Sequence, residues 1–128
     1  MIKKSEIVYK ELSYKIVGIL FEVYNELGYG YKEIHYERAI KRCFDEKNII
    51  YKEQVPFKVM FKSKPVGIFY LDFLVDNKIV LEIKRGNYFS KRNIEQIAEY
   101  LRITKMKLAI LANFTPNGVK FRRILNIK

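Results

Sequence analysis

A chain of 128 residues with 49% hydrophobic and 15% aromatic content is large enough to bury an ordinary core and too apolar to remain disordered. Its formal net charge of +11 and pI near 9.7 point to a polyanionic partner such as nucleic acid. The single cysteine, Cys43, excludes an internal disulfide and a cysteine zinc site, and the single histidine, His35, excludes any mechanism that needs two.

The spacing of Leu12, Ile16, Ile19, Leu20, Val23 and Leu27 predicts a first helix from Ser13, as N-cap, to Leu27, ended by Gly28 and Gly30. A second helix is expected from Tyr31 to Lys47. It sets Glu33, Tyr36, Glu37 and Ile40 on one side and turns Ala39, Cys43 and Phe44 towards the core. Cys43 reads as a small core residue and His35 as a surface residue of that helix. The period then changes to two. Val55, Phe57, Val59 and Phe61 alternate with other residues in a strand that Ser63-Lys64-Pro65 closes.

A second strand runs from Ile68 to Val75, and Asp76-Asn77-Lys78 forms a hairpin turn into a third, Ile79 to Arg85. Ser90 caps a third helix to Ile103, with Ile94, Ile97, Ala98 and Leu101 as its buried stripe. Leu108 to Ala112 is wholly apolar, as in a strand covered on both faces. Thr115-Pro116-Asn117-Gly118 turns the chain into a last, edge strand, Val119 to Leu125. There is no repeat, linker or low-complexity tract, so residues 1–128 read as one domain. The order α-α-β-β-β-α-β-β predicts an α/β fold, a mixed sheet between helices, because the third helix gives a crossover connection.

Chemistry gathers on the second and third strands. Asp72, Glu82 and Lys84 place charge inside apolar runs, where it is costly unless paired or bound to metal. Glu82 and Lys84 share a strand face, with Ile83 turned to the core. A solvated strand face is the bland explanation of such a triplet. The charge distribution favours a site. Residues 1–81 hold 14 Lys and Arg against 11 Asp and Glu, whereas residues 82–128 hold 11 against 3. The basic excess therefore begins at the triplet, and Arg85, Lys91, Arg92, Lys120, Arg122 and Arg123 are expected to contact phosphate together with Lys84.

Asp72, a hairpin, then Glu82-Ile83-Lys84 resembles the core signature of the PD-(D/E)xK nuclease superfamily. Gln96-Ile97-Ala98-Glu99-Tyr100 resembles the QxxxY element of its RecB-like and Cas4-like members. Leu27-Gly28-Tyr29-Gly30-Tyr31-Lys32-Glu33-Ile34-His35-Tyr36-Glu37 resembles the motif of the small GxxExxY proteins, with Gly30, Glu33 and Tyr36 at its named positions. Asn113-Phe114 and the basic last strand also look like that family. Two departures are Tyr29, where relatives often have proline, and Tyr24, where they have histidine.

The resemblance implies a restriction-endonuclease-like α/β/α sandwich and a metal-dependent nuclease acting on nucleic acid, with DNA the leading substrate. Asp72, Glu82 and the Ile83 carbonyl are the expected ligands of Mg²⁺, with Mn²⁺ as a substitute, because hard oxygen donors suit these ions. Lys84 would position water or stabilise the phosphate. Glu33 joins the site only if the second helix packs beside it. Gln96 and Tyr100, one turn apart, would orient Lys84 or contact phosphate. A catalytically silent or partner-dependent nucleic-acid-binding protein is the alternative. A homodimer would let so small an enzyme cut two strands. No apolar run reaches membrane-span length and no signal-peptide pattern opens the chain, so a cytoplasmic protein without membrane contact is expected.

Overall fold

The computed structural model describes residues 8–126. Helix α1 spans Lys10–Leu27 and α2 spans Glu33–Glu46; then come β1 (Tyr51–Phe61), β2 (Lys64–Val75) and β3 (Ile79–Arg85). Helix α3 (Lys91–Thr104) leads to β4 (Leu108–Thr115) and β5 (Gly118–Leu125). The five strands lie in the order β1-β2-β3-β4-β5. Only β3 and β4 are parallel, joined by α3 as the crossover; the other neighbours are antiparallel.

The sheet is therefore mixed and covered on both faces. Ile16, Ile19, Leu20 and Val23 of α1 and Tyr36, Ile40, Cys43 and Phe44 of α2 pack on Phe73, Leu81, Ile83, Ile110 and Phe114. Ile97, Tyr100 and Leu101 of α3 pack on Leu71, Val80, Ala109, Leu111 and Ile124 on the other face. Every residue of β4 is buried, as its apolar run requires. Among the described residues no helix is long and apolar enough to cross a membrane.

Several boundaries depart from the sequence expectation for identifiable reasons. Ser13 is not the cap of α1: it lies buried in the first turn, its N–H donating to the Tyr9 carbonyl at 2.8 Å. Tyr31 stays outside α2, because its N–H is taken by the Tyr36 hydroxyl at 3.4 Å and Lys32 is extended. Lys64 and Pro65 belong to β2, since the reversal is made at Lys62 and Ser63, both left-handed at φ 49° and 65°. In α3, Ser90 caps as expected, accepting from the Asn93 N–H at 3.3 Å. Ala98, however, is exposed, and Tyr100 takes its expected place in the buried stripe.

Candidate active site

The pairing of β2 with β3 stops at Phe73 and Leu81, so the two strands part there. Asp72 and Glu82 are the first residues beyond the fork. The Asp72 carboxylate accepts from the Ile83 N–H at 2.8 Å, and the Glu82 carboxylate accepts from the Asp72 N–H at 2.8 Å. Each acid thus replaces a ladder bond that the parting strands lose. Glu82 is only 2% exposed, and the Lys84 ammonium stands 3.9 Å from its Oε2.

Helix α2 supplies two more acids. Its first residue, Glu33, accepts from the Arg85 N–H at 3.3 Å, which packs the helix start against the end of β3. One turn further, Glu37 faces the same cluster. Burial, the neighbouring Asp72 and then Glu33 push the Glu37 carboxyl up to about 7. Burial, then Asp72, push Glu82 up to about 8, against the opposing pull of the Asp72 N–H and Lys84. Asp72 is also raised, chiefly by burial; the Ile83 N–H, Lys84 and the Gln54 amide pull the other way. Gln54 holds a left-handed backbone, φ 51°, at an unpaired position of β1 opposite Asp72. Neither Glu37 nor Gln54 is singled out by the sequence. Glu37 follows Glu33 at helical spacing, which was a usable signal; the β1 irregularity at Gln54 had none.

The glycine loop before α2 is tied down by the motif residues. Gly28 and Gly30 have positive φ, 70° and 119°, where other residues are strained. The Tyr36 hydroxyl donates to the Gly28 carbonyl at 2.6 Å, and its ring stacks on Phe114 with centroids 4.1 Å apart. The Arg85 guanidinium lies over the Tyr29 ring at 5.6 Å. Behind β3, Asn113 donates to the Gly86 and Tyr88 carbonyls, at 3.3 and 2.7 Å, fixing the loop that leads to α3.

Other expected site residues are placed differently. Tyr100 is buried, edge-on to Phe57 at 5.1 Å, and neither it nor Gln96 bonds to Lys84; Tyr100 is a packing residue. Gln96 and Arg92 line a cleft of about 440 Å³ between α3 and the β1–β2 hairpin. Lys91, Arg92, Lys120 and Arg122 are exposed. Lys120 shares a cross-sheet row with Asn113 and Lys84. Arg123 points to the opposite face from Lys120 and Arg122, where it donates to the Val8 carbonyl at 2.9 Å.

Hard carboxylate oxygens that crowd and desolvate one another are the donor set a divalent cation of the Mg²⁺ type satisfies. Among the described residues, no three His, Cys, Asp or Glu side chains converge closely enough to form a ready cage. The two inner acids are instead turned onto backbone amides.

A mixed sheet between helices, with two acids and a lysine where its antiparallel strands part, is a phosphodiesterase framework. The chain belongs to the PD-(D/E)XK nuclease superfamily, whose model matches residues 10–124. The fold is similar to that of an alkaline exonuclease (LHK-Exo) from Laribacter hongkongensis, with a TM-score of 0.50 and 14% identity over 98% of this chain and 72% of that one. SSO0001, known from a crystal structure, is similar with a TM-score of 0.46 and 14% identity over 91% of this chain and 78% of that one. No curated protein matches the chain. At 14% identity the likenesses are of fold.

Proposed function

We propose that this protein is a metal-dependent nuclease of the small GxxExxY kind, hydrolysing phosphodiester bonds of DNA with Mg²⁺, or Mn²⁺ in its place. The observation that carries the reading is the fork, where Asp72, Glu82 and Lys84 meet with Glu33 and Glu37 behind them. A structural role alone would not gather four acids in a chain of net charge +11. Gly30, Glu33 and Tyr36 acting together on the loop and on Arg85 support the GxxExxY assignment.

A divalent cation held by Asp72 and Glu82, with the Ile83 carbonyl and Glu33 as further ligands, would neutralise charge on the scissile phosphate and acidify the attacking water. The residues of the chain do the rest. Glu33 and Glu37 hold water at the α2 side. Lys84, on the face of Glu82, orients that water or donates to a phosphate oxygen. Arg85, Lys91, Arg92, Lys120 and Arg122 grip the flanking backbone, and Gln96 contacts it from the cleft. The protein works in the cytoplasm, and a second copy serves duplex cutting.

The test is incubation of purified protein with plasmid and oligonucleotide substrates in Mg²⁺ or Mn²⁺. Nicking or degradation is expected, abolished by Asp72→Ala and by Lys84→Ala. Binding with no cleavage of DNA or RNA in either metal would establish the binding-protein alternative instead.

A further inference from the structure

The β1–β2 hairpin does something the fold does not require. β2 pairs with β1 from Lys64 to Val75, but with β3 only from Phe73 to Val75. From Leu71 outward the hairpin is therefore a two-stranded ribbon with no third strand beside it. Such ribbons are marginal on their own and gain nothing from exposing apolar side chains. Yet Met60, Phe61, Val66, Ile68 and Tyr70 are each at least half exposed. Val66, Ile68 and Tyr70 alternate along β2 and so share one face, an exposed apolar strip of the kind that marks an interaction site.

The charge on the ribbon selects the partner. From Gln54 to Leu71 there are three lysines, Lys58, Lys62 and Lys64, and no Asp or Glu. The Lys62 ammonium lies over the Phe61 ring at 5.4 Å, so cation and aromatic face are presented together at the tip. Lysines interleaved with exposed aromatics suit a polyanion whose bases stack. A second copy of the chain is a poor occupant, because two such arms repel. Pro56 on the outer strand also removes a donor that strand addition needs.

Position ties the arm to the site. Asp72 is at its base, and the eight residues out to Lys64 span about 26 Å at roughly 3.3 Å each. Across the cleft the arm faces Arg92 and Gln96 together with Glu95 and Glu99, so the positive charge that suits a polyanion lies on the arm itself.

We propose that the β1–β2 hairpin is a nucleic-acid-binding arm that holds the strand being cut, with Lys58, Lys62 and Lys64 on its phosphates and its exposed apolar side chains stacked on unpaired bases. The proposal rests on the nuclease reading of the fork, and its test separates the two. The triple variant F61S/K62Q/K64Q changes only tip residues, and an unchanged melting temperature checks its fold. Anisotropy binding in EDTA to a 20-nucleotide single strand is compared with hydrolysis of bis(p-nitrophenyl) phosphate in Mn²⁺, a diester too small to reach the arm. The variant is expected to bind the single strand at least ~10-fold more weakly. It should also flatten the plot of log affinity against log salt by about 1.4, for two phosphate contacts, and hydrolyse the small diester at the wild-type rate. K62R/K64R should restore the slope. Unchanged affinity and slope, or a loss that tracks a change in sedimentation of the protein, would overturn the arm. Wild-type protein that binds through the arm but cleaves neither the diester nor DNA upholds the arm and overturns the nuclease reading.

Discussion

Asp72 and Glu82 hold each other's strands: each carboxylate accepts a backbone N–H across the fork at 2.8 Å, from Ile83 and from Asp72 itself. The same divergence that breaks the β2–β3 ladder therefore orients the two acids. Asp72→Asn keeps an oxygen for the Ile83 N–H while removing charge from a crowded, buried cluster. Its melting temperature in EDTA should equal or exceed that of wild type, while nicking falls by at least ~100-fold. A variant that unfolds, or one that still cuts, contradicts this assignment.

Acidity gives a second handle. Glu82 is raised to about 8 and Glu37 to about 7 from ordinary values of 4.5, so the folded state binds more protons than the unfolded one across that interval. Stability must then fall as pH rises from about 4.5 to 8, with the full benefit present only below the unfolded value. Mg²⁺ should raise the melting point most at the upper end of this range. Melting curves at fixed ionic strength, with EDTA and with Mg²⁺, check both signs; a metal-free midpoint that climbs from pH 5 to 8 refutes them.

Much of this was legible because its causes are local. The fork acids stand out as charge in apolar strands, and α3 as a crossover follows from its place between Arg85 and Leu108. The α/β/α layering follows from the helical stripes, and the packing of α2 brings Glu33 against the end of β3. What was hidden depends on long-range geometry. Gln54 lies opposite Asp72 only through the pairing of β1 with β2, at a position left unpaired between Glu53 and Val55. Tyr100 is drawn into the core because Phe57 reaches it from the long hairpin. Ser63-Lys64-Pro65 looked like a turn, but the left-handed Lys62 and Ser63 turn earlier and lengthen the arm. Arg123 could not be told from Arg122, although alternation puts them on opposite faces.

Glu37 is the acid that sequence reading passed over. Its carboxylate feels Asp72 and Glu33 strongly but makes no ladder bond, so its removal should leave the fork standing. Glu37→Gln is expected to raise the Mg²⁺ concentration for half-maximal cleavage by roughly 10-fold with little change at saturation, as loss of an outer partner does. A metal titration of initial rates reads this, and an unchanged half-saturation point excludes Glu37 from cation binding.

Tyr36 joins the glycine loop to the core. Tyr36→Phe keeps the stack on Phe114 and loses the bonds to Gly28 and Tyr31. A loss of about 1 kcal/mol in urea unfolding is expected, with a larger proportional loss of cleavage because Glu33 and Arg85 flank that loop. Tyr36→Ala also removes the buried ring and should cost about 3–5 kcal/mol. Equal stability of wild type and Tyr36→Phe would show that the hydroxyl holds nothing.

The last strand separates binding from folding within four residues. Ile124 packs with α3 and Val119 with the helices opposite, so alternation sets Lys120 and Arg122 on the α3 side, with Lys84, and Arg123 on the α1 side. Lys120 is two strands from Lys84 in the same row, roughly 10 Å away at about 4.8 Å per strand, near enough to hold phosphates flanking a cut. K120A/R122A should therefore weaken single-strand binding and lower the salt slope by about 1.4, at an unchanged melting point. Arg123→Ala should do the reverse. Its loss of the Val8 carbonyl bond is expected to cost about 1.5 kcal/mol or more in stability, with no change in salt slope. If Arg123→Ala flattens the slope as the double variant does, the arginine contacts nucleic acid and the division of β5 into a binding face and a packing face is wrong.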